Sequence, residues 1–313
     1  MNYREILSKE FGANLEERVP LSDHCSFRVG GVADYFLEAK DIGMLTEAVS
    51  IAFRNNIPFF VIGGGYNILP SDEGFRGLII KNSSSNIVFN SDSSTVIVDS
   101  GLILGKMINL AASRDLGGLE FLFGVPGTIG GAIYGNAGAF NYEIGDFLKS
   151  VTMLASKDGK LAIVRHEADW LQMSYRSSRL KKEANKIGQF APVILTATLQ
   201  LVQRRRDEIL RMMQENLNKK KETQPLSEVS AGSFFKNAGP NRDMAAGYLL
   251  DQAGAKRMRV GGAAFSQKHA NFLINRKRAT ASDLRFLAEK AKESVREKFG
   301  IELKEEIEYF GQW

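Results

Sequence analysis

Two glycine-rich stretches constrain this chain more than any other feature. Val61-Ile62 runs straight into Gly63-Gly64-Gly65, followed by Tyr66-Asn67, and residues 117–145 read GGLEFLFGVPGTIGGAIYGNAGAFNYEIG. Clustered glycine marks places where the backbone takes positive φ or where something approaches it closely. The second stretch is apolar where a solvent loop would be polar, so it is expected to be ordered backbone packed against something. Small residues at the density of Gly124–Gly138 let a large flat ligand lie on the backbone; the competing reading is a close-packed turn. A strand that ends in three glycines exposes consecutive N–H groups suited to a diphosphate. Taken alone, three glycines are better read as a tight turn. The loop is not a Walker A loop, because Gly-Lys-Ser/Thr is absent. It is not a dinucleotide fingerprint either, because no helical pattern opens after it.

The remaining composition excludes several classes. At ~150 residues per domain, a chain of this length suggests about two domains. With 44% hydrophobic and 25% charged residues it can bury a core, and wholesale disorder is excluded. Lys plus Arg total 41 against 36 acidic residues, a mild +5. No helix carries a basic stripe with interleaved aromatics, so nucleic acid is not an expected partner. A lone Cys25 excludes intrachain disulfides and cysteine cages, and His24, His166 and His269 lack metal-ligand spacing, so no metal is expected. The opening MNYREILSKEFG is charged from residue 4 and has no apolar h-region, so it is not expected to act as a signal peptide, and no run approaches the ~20 apolar residues of a membrane span. A soluble protein of a reducing cytoplasm, without a membrane partner, is expected.

Apolar periodicity predicts helices over 41–55, capped by Asp41, and over 103–114, 203–221, 243–253 and 281–298. Strands are expected at 58–62, 77–81, 149–155, 160–165, 191–202 and 301–310, with a hairpin at 86–90 and 95–99. Residues 222–242 read as a linker that carries a motif. One boundary is placed near 203–225 and a weaker one near 80–85.

Three polar motifs could carry chemistry. In Ser174-Tyr175-Arg176-Ser177, an arginine beside a tyrosine could bind a carboxylate; in isolation, a surface arginine is the better reading. In Ala231-Gly232-Ser233-Phe234-Phe235-Lys236-Asn237, a serine is held between glycine and two aromatics; alone it reads as a turn residue. On a strand at 301–310, Glu302, Lys304, Glu306 and Glu308 would share one face. The bland reading of that face is a solvated one, and the alternative is a face with at most one functional acid.

Together and in this order, these segments resemble the UDP-N-acetylenolpyruvoylglucosamine reductases, flavoenzymes of peptidoglycan precursor synthesis. The resemblance runs from Ser26-Phe27-Arg28-Val29-Gly30-Gly31 to the last strand. It is carried by GGGYN, GVPGTIGGAIYGNAGA, SYRSSR, AGSFFKN, LLDQAGAKRMRVGGA and SQKHANFLIN. It implies an α+β fold: two FAD-binding subdomains of the vanillyl-alcohol oxidase class, at 1–82 and 83–203, and a C-terminal α/β substrate-binding domain at 204–313. The final strand, 301–310, would return towards the flavin. The 57 residues from Arg176 to Ser233 look short, like the type II members that lack a substrate-capping loop.

The resemblance also implies noncovalent FAD, NADPH as hydride source and small-molecule substrates, with protein partners unspecified. Arg176 matches the arginine that polarises the substrate carboxylate, Ser233 the proton donor and Glu306 the assisting glutamate. Gly63, Gly64, Gly65, Tyr66 and Asn67 fall at the flavin diphosphate. Pro126, Gly127, Thr128, Gly130, Gly131, Asn136 and Gly138 fall along the isoalloxazine and ribityl region. Tyr175, Lys236, Asn237 and His269 fall near the nucleotide or its sugar.

The chain departs from the family pattern at His24-Cys25, at Gly135 and at Glu308, where an arginine is usual. The Glu308 departure reverses a charge near the flavin. Two other readings compete. One is a non-catalytic nucleotide-sugar or flavin-binding protein, against which Arg176, Ser233 and Glu306 argue. The other is an alcohol oxidase of the same fold, against which the AGSFFKN motif and the C-terminal domain argue.

Overall fold

In a computed structural model, residues 3–90, 92–157, 159–184 and 190–313 are described. The chain divides into two compact units. One comprises Met1–Leu15, Phe36–Gly64 and Leu78–Lys219; the other comprises Glu16–Tyr35, Gly65–Gly77 and Lys220–Trp313.

The first unit is built on a five-stranded antiparallel sheet in the order Lys160–Glu167, Leu148–Lys157, Val193–Gln200, Thr95–Asp99, Ile87–Asn90. The expected hairpin is present, with Ile87 opposite Val98 and Asn90 opposite Thr95. Val96, Val98, Val151, Met153, Ala197 and Leu199 turn inward. Helix Leu104–Ala112 supplies Leu104, Met107, Ile108, Ala111 and Ala112 to the same core, at the three- and four-residue steps of one helical face. Helix Ile42–Arg54 begins as expected, with the Asp41 carboxylate accepting the Met44 N–H at 2.8 Å. Strand Phe59–Ile62 runs parallel to residues 78–81 and delivers the chain to Gly63.

The second unit packs a three-stranded antiparallel sheet (Arg259–Val260, Ala263–Phe265, Leu273–Asn275) beside helix Ala281–Phe299. That helix buries Ala281, Leu284, Ala288, Ala291 and Val295, at steps of three and four. Thr280 and Asp283 form a reciprocal capping box, and Gly300 ends the helix at φ 68°. The Asp72 carboxylate adds three bonds at the same end, from the N–H groups of Ala281 and Ser282 and from the Ser282 hydroxyl.

The strand expected over 301–310 is corrected: only Glu308–Phe310 is a strand, parallel to Ile68–Pro70. Residues 301–307 keep alternating burial, with Leu303 and Ile307 inside and Glu302 and Lys304 outside. Their neighbour is the short segment 234–236, which gives one bridge and two backbone bonds, too little for a ladder. The apolar glycine stretch, expected as ordered backbone, also holds a helix, Ile129–Tyr134, that its periodicity does not predict. Among the described residues no helix is long and apolar enough to cross a membrane.

Asp72→Ala leaves two backbone donors and a hydroxyl without their acceptor. It should lower stability to urea by about 1–2 kcal/mol. An unchanged urea midpoint would show the cap to be dispensable.

Candidate active site

In the first unit the two glycine stretches meet. A side chain at Gly63 would collide with the Thr128 hydroxyl. Thr128 is buried and caps helix Ile129–Tyr134, its hydroxyl accepting the Gly131 N–H at 3.3 Å. Behind it, Gly130 donates to the Ser100 carbonyl at 2.7 Å. The Ser100 hydroxyl donates to the Ile194 carbonyl and accepts from the Asn82 amide, and the Ser84 hydroxyl donates to the Asn82 carbonyl oxygen. No local pattern in the sequence encodes this buried network, whose Ser100 partner at Ile194 is 94 residues away.

The surface so formed is bare backbone. Among the described residues, the N–H groups of Gly63 and Gly64 meet no protein acceptor. Nothing lies within 4 Å of where a Cβ would stand on Gly127, and Pro126 and Gly131 are exposed. Consecutive uncommitted donors suit a diphosphate, and a side-chain-free surface suits a flat ring system. These residues fit FAD.

Asn136 and Gly138 lie in the same unit as Arg176. Asn136 is fully buried, and its side chain bonds only protein groups in the contacts shown: Glu143 Oε2 and the Ser174 carbonyl accept from its amide, and its oxygen accepts the Gly145 N–H. Ser174 and Ser177 exchange backbone bonds of 3.0 and 2.9 Å, which makes Tyr175-Arg176 the tip of a tight turn. Arg176 takes φ 52°, and its guanidinium donates to the Gly138 carbonyl at 2.6 Å and lies 5.3 Å from the centre of the half-exposed Tyr175 ring. A Cβ on Gly138 would stand 3.0 Å from that guanidinium and 2.6 Å from the Tyr142 carbonyl. The buried Ser178 hydroxyl ties the turn to the Tyr134 carbonyl at 2.7 Å.

The second unit brings Ser233, Glu306 and Asn67 into one locality. Phe234 and Phe235 are fully buried, and Asn271 clamps them: its carbonyl takes the Phe234 N–H, while its side chain accepts from the Phe235 N–H and donates to the Phe235 carbonyl. The Phe234 carbonyl accepts the Glu306 N–H at 2.8 Å, so Ser233 is one residue from the chain that carries Glu306. The Asn67 amide donates to the Glu306 carbonyl at 3.1 Å, and the Asn67 carbonyl accepts the Glu308 N–H at 2.9 Å. Gly65 is buried, and its carbonyl accepts the Ser26 N–H; Tyr66 is exposed. Cys25 Sγ donates to the Ile68 carbonyl, and burial pushes its pKa up to about 11, so the thiol stays protonated.

The remaining residues sit around this core. Lys236 is half-buried, and its N–H donates to the Lys304 carbonyl. Asn237 accepts the Ala246 N–H at the start of helix Ala246–Gln252. His269 packs against that helix at Gly247, and its Nδ1 accepts the Asn271 N–H. Burial, aided by Lys256 and opposed by Asp251, pulls the His269 pKa below the usual imidazole range.

Comparison with known proteins agrees with this geometry. The family model of the FAD binding domain matches residues 33–165. A UDP-N-acetylenolpyruvoylglucosamine reductase of Clostridium botulinum is 37% identical, covering 99% of this chain and 98% of that protein. The reductase of that name from Bacillus velezensis is 35% identical, covering 98% of this chain and 97% of that protein. The crystal structure of the Thermus caldophilus UDP-N-acetylenolpyruvylglucosamine reductase superposes with a TM-score of 0.76 at 31% identity, covering 94% of this chain and 98% of the other. Fold and site define an FAD-dependent oxidoreductase. The chain belongs to the UDP-N-acetylenolpyruvoylglucosamine reductase family, whose C-terminal-domain model matches residues 224–310.

Because the cradle rests on a missing side chain at residue 63, Gly63→Ala should purify with several-fold less flavin than the parent chain. Flavin absorbance per protein after acid release measures this. Equal flavin content would remove Gly63 from the cofactor site.

Proposed function

We propose that the chain reduces the enolpyruvyl group of UDP-N-acetylglucosamine enolpyruvate to UDP-N-acetylmuramate, with NADPH as electron source, in the cytoplasmic synthesis of peptidoglycan precursors. The observation that carries this is family membership over nearly the whole chain, with Arg176, Ser233 and Glu306 at their expected motif positions. FAD, held noncovalently by the residues named below, would supply the hydride chemistry that links NADPH to the terminal vinyl carbon of the substrate. The flavin is assigned to residues 1–82 and 83–203 and the substrate to 204–313. No nucleic acid or membrane takes part.

The protein's own groups handle charge and protons. Adding hydride to the vinyl carbon leaves negative charge on its neighbour and on the attached carboxylate. Arg176 is assigned to that carboxylate, where a planar fork provides bidentate contact that a lysine could not. Ser233 is assigned the proton. A serine hydroxyl is a weak acid, but a carbanionic carbon is a strong base, so fixed geometry suffices. Among the described residues no hydrogen bond engages the Ser233 side chain, which suits a donor held for substrate. Glu306 is assigned a hydrogen bond to the substrate carboxylate, which requires its protonated form. Gly63, Gly64, Gly65, Tyr66 and Asn67 are assigned to the diphosphate, and Pro126, Gly127, Thr128, Gly130, Gly131, Asn136 and Gly138 to the ring and ribityl side. Tyr175, Lys236, Asn237 and His269 are assigned to the nucleotide-sugar.

The test is steady-state turnover. NADPH absorbance should fall only when the enolpyruvyl nucleotide is present, and mass spectrometry should show a product heavier by two hydrogens. NADPH loss that ignores the nucleotide would overturn the reading. Ser233→Ala should keep flavin reduction by NADPH and slow substrate-driven reoxidation by about 10²–10⁴-fold. Equal slowing of both halves would make Ser233 structural.

A further inference from the structure

We propose that Asn136 is a positioning residue for Arg176, acting through the Ser174–Ser177 turn; the proposal rests on the reductase reading and deepens it. Asn136 lies 40 residues from Arg176 in sequence, yet its amide nitrogen donates to the Ser174 carbonyl at 3.0 Å. The second hydrogen of the same amide goes to Glu143 Oε2 at 2.5 Å, and Oδ1 accepts the Gly145 N–H at 3.1 Å. Three of the roughly four hydrogen bonds open to a carboxamide are thus made to protein atoms, in full burial. The side chain ties the helix end at Tyr134, the Glu143–Gly145 segment and the arginine turn to one point.

That turn needs an external hold. Arg176 sits at φ 52°, and Asn136 itself at φ 47°. A left-handed non-glycine residue is strained and persists only where its surroundings over-determine it. Three anchors do so here: Asn136 on Ser174, Ser178 on Tyr134, and the Gly138 carbonyl on the guanidinium. The first and third originate two residues apart in the glycine stretch. The segment that fits the flavin ring therefore also sets where the guanidinium points. A polar side chain wholly internal to a Gly/Ala-rich run is thus tied to the arginine turn.

Asn136→Gly removes the side chain while tolerating the left-handed backbone, so it isolates the hydrogen bonds from the strain. In the full-length chain, the amides of Ser174 and Ser177 should exchange with solvent at least ten-fold faster than in the parent, with the sheet residues 193–200 unchanged. In anaerobic stopped flow, substrate-driven flavin reoxidation should slow by about 10²-fold beyond any change in reduction by NADPH. The loss should appear as a lower limiting rate more than as a higher substrate concentration at half-saturation. Asn136→Asp, which keeps the shape and loses both amide donors, should show the same pattern if Asn136→Gly does not load flavin. Unchanged exchange at Ser174 and Ser177, or reoxidation within two-fold of the parent, overturns the positioning role. A parent chain that the enolpyruvyl nucleotide does not reoxidise overturns the reductase reading instead, and exchange alone then decides the role of Asn136.

Discussion

The close approach of Gly63 to Thr128 is the contact on which the first unit's site depends. The threonine side chain occupies the space that any residue but glycine would need at 63. Its hydroxyl closes the first turn of helix Ile129–Tyr134. One side chain therefore fixes a strand end to a helix start. Behind it the Asn82–Ser84–Ser100 network is satisfied within the protein, and a buried polar network in that state is rigid. The result is a fixed floor of backbone with donors facing outward, the condition for holding a cofactor without reorganisation.

Rigidity in that floor extends to the residue assigned to the substrate carboxylate. Arg176 is not placed by its own neighbours alone, since its turn is only two residues wide between Ser174 and Ser177. It is placed by distant groups that reach it through Asn136, Gly138 and Ser178. In the second unit the same principle operates with apolar weight. Phe234 and Phe235, buried and clamped by Asn271, hold Ser233 beside the chain that carries Glu306. In the proposed role of Ser233, fixing a weak acid in this way would substitute geometry for acidity.

Much of this was legible in the sequence. Helix 281–298 and the 86–99 hairpin follow from periodicity, because their packing partners lie along one regular face. The glycine runs announced a close approach, and the two prove to approach each other. The resemblance selected Arg176, Ser233 and Glu306, which composition could not. What sequence could not show were the long-range polar links. Ser100 reaches Ile194 and Asn136 reaches Ser174 across 94 and 38 residues, and no local period encodes such pairs. The last strand was overread for a related reason: alternation reports which face is buried, while a ladder also needs a partner of matching length. Helix Ile129–Tyr134 was missed because glycine weakens the helical pattern that its threonine cap restores.

The central claim is that electrons held on the flavin leave to the enolpyruvyl nucleotide. The most direct measurement is an anaerobic titration of the chemically reduced holoprotein, with no NADPH present, followed by flavin absorbance. The oxidised spectrum should return in proportion to added nucleotide and be complete at one equivalent per flavin. A spectrum that stays reduced through excess nucleotide, and recovers only when air is admitted, would contradict the account.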